Sequence, residues 1–260
     1  MTDLDQRELA MLAIAREAGE LARRRFTDRS SFTVKFKGPQ DFITEADSEV
    51  ERLVVGKLGA AFPGDTFLGE ETGGSPGRRA WVIDPIDGTA NFARGIAHFC
   101  ISIAFVEDGE IKLGAIYQPM SREMFAARDG RGATLDGAPM KVTTTAQIDE
   151  AAVELGWSKR RPNKDYTDTA LRILDAGGSF RRCASGALGL AYVAAGRTDA
   201  YFERHINSWD CLAGILMVNE AGGWTNDFLA NDGLLKGGPV LGTNAALKDT
   251  ITRIVDVERG

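Results

Sequence analysis

Apolar positions recur along this chain in two rhythms. Between Leu4 and Phe26, Leu9, Leu12, Ala13, Ala18 and Leu21 include an apolar stripe at helical spacing, with Glu and Arg on the other positions. Phe32–Lys37 alternates and predicts a strand. Thr44 to Phe62 returns to the helical rhythm through Val50, Leu53, Val54, Leu58 and Ala61, and Pro63-Gly64 stops it. A β-rich middle follows, with a strand at Trp81–Asp84. Phe99–Glu107 and Glu110–Gln118 flank Asp108-Gly109, a strong hairpin signal. Met124–Arg128 continues the meander, and Arg131–Met140 reads as a glycine-containing loop or hairpin. The second half alternates: strands at Ala151–Leu155, Ser179–Arg182, Asp199–Phe202 and Val240–Gly242, with helices at Tyr166–Ala176, Ser185–Ala195, Ser208–Ala221 and Ala245–Val257. Gly222-Gly223 ends the third of those helices.

Strands alternating with helices predict an α/β chain with helices packed over sheets. The threonine-rich stretch Val142–Ile148 marks a boundary between an N-terminal half, 1–145, and a C-terminal half, 146–260, within one unit. No repeat, low-complexity tract or flexible linker interrupts it. At 260 residues the chain can bury a substantial core. A net charge of −6 argues against general nucleic-acid binding. Cys100, Cys183 and Cys211 are scattered, without a Cys-x-x-Cys, and read as small core residues in a reducing compartment. The acidic start, Met1-Thr2-Asp3, is unlike a secretory signal, and no apolar run approaches the ~20 residues of a membrane helix. A cytoplasmic protein without a membrane partner is the expectation.

The chemistry concentrates where the run Trp81-Val82-Ile83 feeds Asp84-Pro85-Ile86-Asp87-Gly88-Thr89. The strand delivers two carboxylates into a turn stiffened by Pro85, while Gly88 permits positive φ or close approach. Carboxylates suit hard divalent cations, and free backbone N–H groups suit phosphate oxygens. Taken alone, Asp-x-x-Asp-Gly is a common solvated turn. Two further blocks add to it. Gly69-Glu70-Glu71 follows the apolar pair Phe67-Leu68, and Trp209-Asp210 opens a helix where Ser208 is the expected cap. Competing motifs fail. Gly73-Gly74-Ser75-Pro76-Gly77 spells a serine-hydrolase elbow, but Pro76 cannot donate the N–H that an oxyanion hole requires. There is no P-loop, and His98 and His205 lack zinc-ligand spacing.

Four ordered blocks now stand together: Asp41-Phe42-Ile43-Thr44-Glu45-Ala46-Asp47, Gly69-Glu70-Glu71, Asp84–Thr89 with Asn91-Phe92, and Trp209-Asp210 with Glu220-Ala221-Gly222-Gly223. In this order they resemble the inositol monophosphatase superfamily of Mg²⁺-dependent, lithium-sensitive phosphatases, over nearly the whole chain. The resemblance implies an αβαβα sandwich of the inositol monophosphatase and fructose-1,6-bisphosphatase type, with a Mg²⁺ cofactor bound as two or three ions. It implies Glu70, Asp84 and the Ile86 carbonyl as ligands of one ion, and Asp84, Asp87 and Asp210 as ligands of another. Glu70, Asp47 and Thr89 form the implied catalytic set, the last two orienting and deprotonating the attacking water. Gly88 and Thr89 are implied to hold the phosphate. Asp87, Ala184, Ser185 and Glu203 are implied to face the leaving alcohol. Ala184-Ser185 stands where animal members commonly carry Gly-Thr, and Arg204-His205 is a departure. Lys35 and Lys37 compete for a lysine position common in the family, which stays open. The implied reaction is hydrolysis of a small phosphorylated metabolite by a homodimer, myo-inositol phosphate first. Histidinol phosphate, 3′-phosphoadenosine 5′-phosphate and fructose 1,6-bisphosphate are the alternatives of the same chemistry. A regulatory binding protein retaining the fold is the alternative of another class.

Overall fold

The computed structural model describes residues 2–28, 34–38 and 41–257, with 34–38 and 41–44 described through their backbone alone. Helix α1 (Asp3–Thr27) opens with a capping box, in which the Asp5 N–H donates to Thr2 Oγ1 at 3.1 Å and the Thr2 N–H donates back to the Asp5 carboxylate at 2.6 Å. An antiparallel pair, β1 (Val34–Gly38) and β2 (Asp41–Thr44), leads directly into helix α2 (Glu45–Ala61). Residues 32–33 of the expected first strand lie outside the described residues.

Seven strands then form one sheet in chain order: β3 (Thr66–Gly69), β4 (Arg79–Asp87), β5 (Cys100–Glu107), β6 (Glu110–Gln118), β7 (Glu123–Arg128), β8 (Gly132–Leu135) and β9 (Ala138–Pro139). Only β3 and β4 pair in parallel; the other pairs are antiparallel. The short helix α3 (Thr89–Arg94) bridges β4 and β5. At the β5–β6 turn both Asp108 and Gly109 take positive φ, as a two-residue hairpin of right-handed twist requires. Asp136-Gly137 repeats this between β8 and β9, so the Arg131–Met140 segment is a hairpin.

The second sheet comes from the remaining chain. Strands β10 (Ala152–Leu155), β11 (Ser179–Arg181), β12 (Ala200–Ile206), β13 (Trp224–Thr225) and β14 (Gly238–Thr243) lie in the order β11-β10-β12-β14-β13. Helices α4 (Asn163–Asp175), α5 (Gly186–Ala194), α6 (Ser208–Glu220), α7 (Gly233–Lys236) and α8 (Lys248–Val255) alternate with them. Helix α4 starts three residues before the expected Tyr166, because its polar first turn, Asn163-Lys164-Asp165, carries no apolar signal. Strand β12 runs past the expected Phe202 to Ile206 and so carries Glu203 within it. Strand β13, two residues long, is too short for any period to reveal.

Period-two alternation produces the layers. Trp81 and Ile83 of β4, with Ile101, Ile103 and Phe105 of β5, pack against Met11, Ala18, Val50, Val54 and Leu58 of α1 and α2. Val82, Cys100, Ala104 and Val106 point to the opposite face, against α5 and α6. On the far side of those helices lie Tyr201 and Val240 of the second sheet. Val153, Leu155, Phe202 and Leu241 cover its outer face with α4 and α8. The result is helix pair, sheet, helix pair, sheet, helix pair. The middle helices are apolar and buried through α5 and from Cys211 to Val218 of α6, as a layer between two sheets demands.

Candidate metal-phosphate site

Parallel pairing of β3 and β4 brings their ends to one edge, since Gly69 stands beside Ile83. Glu70 follows β3 and its N–H donates to the Ile83 carbonyl at 3.2 Å, so Glu70 emerges next to Asp84. Asp84 and Asp87 are three apart, and in a regular strand they would face opposite ways. The register instead slips: Asp84 opposes Ser102 while Asp87 opposes Cys100, three steps against two. This is a bulge, and bulges re-aim side chains. Pro85 cannot donate to the ladder, and the Ile86 N–H donates to Asp84 Oδ1 at 2.9 Å instead. A carboxylate oxygen from each of Asp84, Asp87 and Asp210 consequently lies within 4.8 Å of the others.

Asp210 arrives from the other half of the chain, in the first turn of α6. Its Oδ2 accepts from the Asn207 backbone N–H at 3.1 Å and side-chain amide at 3.2 Å. Asn207, rather than the expected Ser208, is the capping position; the Ser208 hydroxyl donates to the Leu234 carbonyl at 2.7 Å. Asp87 Oδ2 accepts from the Ser185 hydroxyl at 2.6 Å and the Ala187 N–H at 2.8 Å. Ser185 is buried and caps α5, so its hydroxyl is committed to Asp87. Ala184 just before it is held at a φ of +60°, in the region glycine prefers.

Gly88 stands at φ +99°, and a Cβ there would come within 3.0 Å of the His98 carbonyl. That backbone turn starts α3, whose first N–H groups lack intrahelical acceptors. The Thr89 hydroxyl lies 2.9 Å from the Ile86 carbonyl oxygen and 3.3 Å from Asp47 Oδ1. Asp47 is buried in the first turn of α2. Glu203 lines the same cleft as Thr89, and its carboxylate accepts from the Tyr201 hydroxyl at 2.7 Å. Glu70, Asp87, Gly88, Thr89, Ala184, Ser185, Glu203 and Asp210 all line one cleft of about 230 Å³.

Its electrostatics are those of crowded acids. Burial, and then the charges of Asp210 and Asp47, raise the Glu70 carboxyl well above its usual range. Burial and then the charges of Glu70 and Asp210 do the same to Asp84, which is 1% exposed. Asp87 is pushed up to about 7 by burial and by Asp210, against its hydrogen bonds from Ser185 and Ala187. Burial raises Glu203 to about 8. Such a set is costly when ionised without a compensating cation. Its donors are all oxygen, the chemistry that suits Mg²⁺.

Some supports escape sequence reasoning. Glu51, fully buried, accepts from the Glu71 N–H at 2.9 Å and the Thr72 N–H at 2.8 Å, and so fixes the turn that presents Glu70. Gly69 makes room for it, since a Cβ there would meet the Glu51 carboxyl at 2.6 Å. The available signal was an acid one turn after Asp47, inside the stripe Val50, Val54, Leu58. The Asn91 amide donates to both the His98 and Cys183 carbonyls, each at 2.8 Å, and so ties the two halves together. Cys183, expected in the core, is half-buried beside the cleft; Cys100 and Cys211 are buried as expected. Lys159, Arg160 and Arg182 line the mouth. The side chains of Lys35 and Lys37 lie outside the described residues.

Comparison with known proteins follows the same outline. The family model described as "Inositol monophosphatase family" matches residues 3–258. A protein of Xylella fastidiosa named "Nus factor SuhB" is 40% identical over 228 residues, covering 85% of this chain and 82% of that protein. A protein of Rhizobium meliloti named "Inositol-1-monophosphatase" is 34% identical over 244 residues, covering 92% of each. A solved IMPase of Thermotoga maritima superposes with a TM-score of 0.85 at 32% identity, covering 95% of each chain.

Proposed function

The chain belongs to the inositol monophosphatase family, and from that premise we propose that it is a Mg²⁺-dependent phosphomonoesterase acting on a small phosphorylated metabolite, inositol 1-phosphate first. The observation that carries the proposal is the convergence of Glu70, Asp84, Asp87 and Asp210 from separate elements beside the backbone turn at Gly88-Thr89. An anionic phosphate would be repelled by that acid cluster alone, so the donor set requires a cation with the substrate. Glu70, Asp84, the Ile86 carbonyl, Asp87 and Asp210 are the residues that would hold it. When bound, Mg²⁺ supplies charge neutralisation at the phosphate and lowers the pKa of water.

The chain's own groups do the rest. The N–H groups of Gly88 and Thr89 bind phosphate oxygens at the start of α3. The Thr89 hydroxyl turns its one hydrogen from the Ile86 carbonyl to Asp47 Oδ1 and accepts from the attacking water; the water's proton passes to Thr89 Oγ1 as Thr89 gives its own to Asp47. Water attacks the phosphorus directly, without a covalent enzyme intermediate. Glu203 and Ala184 face the leaving alcohol across the cleft. Ser185 acts through Asp87, which it holds in place. The basic rim of Lys159, Arg160 and Arg182 disfavours a cationic leaving group, so an inositol phosphate is preferred to histidinol phosphate. Lithium sensitivity, a cytoplasmic location and a homodimer complete the proposal. No described helix is long and apolar enough to cross a membrane.

The test is phosphate release by purified protein with Mg²⁺ across inositol 1-phosphate, histidinol phosphate and 3′-phosphoadenosine 5′-phosphate. The expected order puts inositol 1-phosphate first. A preference for either of the others reassigns the substrate, and no release from any removes the enzyme reading. A second reading is a role as a Nus factor, supported by the likeness to the Xylella protein of that name. Binding of the transcription machinery that survives chelation of Mg²⁺ would favour it.

A further inference from the structure

Beyond the carboxylate centre, the described residues hold a second group of ligating side chains with different chemistry. One ring nitrogen of His98, one carboxylate oxygen of Glu154 and Cys183 Sγ all lie within 4.8 Å of one another. They come from three places: the turn after α3, strand β10, and the segment between β11 and α5. Asn91 fixes two of them through the His98 and Cys183 carbonyls.

The group carries the mark of an unfilled polar pocket. Glu154 is 1% exposed, and its carboxylate is held only by weak contacts with the Cys183 N–H and thiol and by the Arg181 ion pair at 3.5 Å, without a hydrogen bond of ordinary geometry. His98 Nε2 is also buried without a hydrogen-bond partner. Buried polar atoms are nearly always paired, so a weakly held buried carboxylate beside an unpaired imidazole nitrogen leaves ligating capacity unused. The sign of that ligand is legible. The Arg181 guanidinium, from the solvent side, donates to Cys183 Sγ at 3.0 and 2.7 Å and stands 3.5 Å from Glu154. The cluster therefore already receives positive charge, but from a half-exposed side chain. That guanidinium satisfies the sulfur, reaches Glu154 only at 3.5 Å and leaves His98 Nε2 unpaired.

We propose that His98, Glu154 and Cys183 form a second cation site, built for a borderline divalent ion of the Zn²⁺ class. Imidazole, thiolate and carboxylate are the donors such ions take, whereas Mg²⁺ prefers oxygen alone. Three protein ligands leave a fourth position for water. Zn–S and Zn–N lengths of about 2.3 and 2.0 Å are within reach of three ligand atoms that all lie within 4.8 Å of one another. Arg181 leaves, and the Cys183 thiol gives its proton to solvent. Cys183 lies two residues before Ser185, so the ion would brace the segment that holds Asp87.

The experiment uses reduced, full-length protein in excess Mg²⁺, which occupies the carboxylate centre. Zn²⁺ binding is measured by equilibrium dialysis, and Co²⁺ is read by its thiolate charge-transfer absorption. Wild type should bind Zn²⁺ under these conditions and show the cobalt band. Cys183→Ser should abolish the band and weaken Zn²⁺ binding at least ~10–100-fold, the loss seen even for outer-shell changes. Arg181→Ala should act oppositely and tighten it, which a misfolded variant would not do. Three results would each overturn the proposal: no Zn²⁺ bound in excess Mg²⁺, a cobalt band that persists in Cys183→Ser, or weaker binding in Arg181→Ala.

Discussion

Replacing Ser185 with alanine separates positioning of the metal site from contact with substrate. The Ser185 hydroxyl donates to Asp87 Oδ2 at 2.6 Å, and the Ala187 N–H donates to the same oxygen at 2.8 Å. A hydrogen bond to an ionised group is worth ~1.5–3 kcal/mol, and the surviving Ala187 contact places this loss near the lower end. About 1.5 kcal/mol is roughly tenfold in an equilibrium constant. Because the lost bond orients a proposed ligand, the expected change is a roughly tenfold rise in half-saturating Mg²⁺. The KM for inositol 1-phosphate at saturating Mg²⁺ should stay close to wild type. Ser185 also caps α5, so a loss of about 1 kcal/mol in stability should accompany the change. The assay is initial rate against both Mg²⁺ and substrate, with thermal melting alongside. A tenfold rise in KM with unchanged Mg²⁺ dependence would refute the positioning role and return Ser185 to the substrate contacts.

Three further outcomes follow from the same geometry. Glu203, buried beside Tyr201, faces the cleft, so Glu203→Ala removes a hydrogen bond to substrate of ~0.5–1.5 kcal/mol, or about 2- to 13-fold in kcat/KM for inositol 1-phosphate; an equal loss with p-nitrophenyl phosphate would make the role structural. In metal-free protein the carboxyls of Glu70, Asp84, Asp87 and Glu203 have folded-state pKa values raised above their unfolded ones, so the native state holds more protons and stability falls as pH rises from about 4 to about 8. The melting-temperature gain from Mg²⁺ should therefore be larger at pH 8 than at pH 5.5, and an equal gain at both would contradict the coupling. Li⁺, a small hard cation, should compete at the Asp84–Asp87–Asp210 trio and inhibit in an uncompetitive or mixed manner; rates unchanged at high millimolar Li⁺ would show that trio is not a Li⁺ site.

Much of this was visible in the residues. Hydrophobic spacing located α1, α2, the β5–β6 hairpin and the alternating second half, because each buries a face whose period is its own signature. The motif Asp84–Thr89 was legible as chemistry, yet its spacing as a strand was misleading. Only the bulge at Pro85-Ile86 puts Asp84 and Asp87 together, and a bulge is a property of pairing with β5. Glu51 went unnoticed, and Asn91 was noticed only as part of the motif, for a related reason. Their roles are contacts between elements 20 and 92 residues apart, which no local pattern encodes. Cys183 was misplaced because cysteine is usually buried; here it stands half-buried, next to Ala184 at positive φ.

The most direct measurement is phosphate release from inositol 1-phosphate by wild type and Asp84→Asn, after chelation and across a Mg²⁺ titration. Asp84 is buried, fixes the bulge through the Ile86 N–H, and neighbours Glu70, Asp87 and Asp210. Wild type should be silent without metal and recover on titration. Asp84→Asn should stay at least ~100-fold slower at any Mg²⁺, the scale of losing a principal electrostatic stabiliser. Full turnover in chelated wild type, or near-wild-type turnover in the folded variant, would contradict a metal-dependent phosphatase centred on these acids.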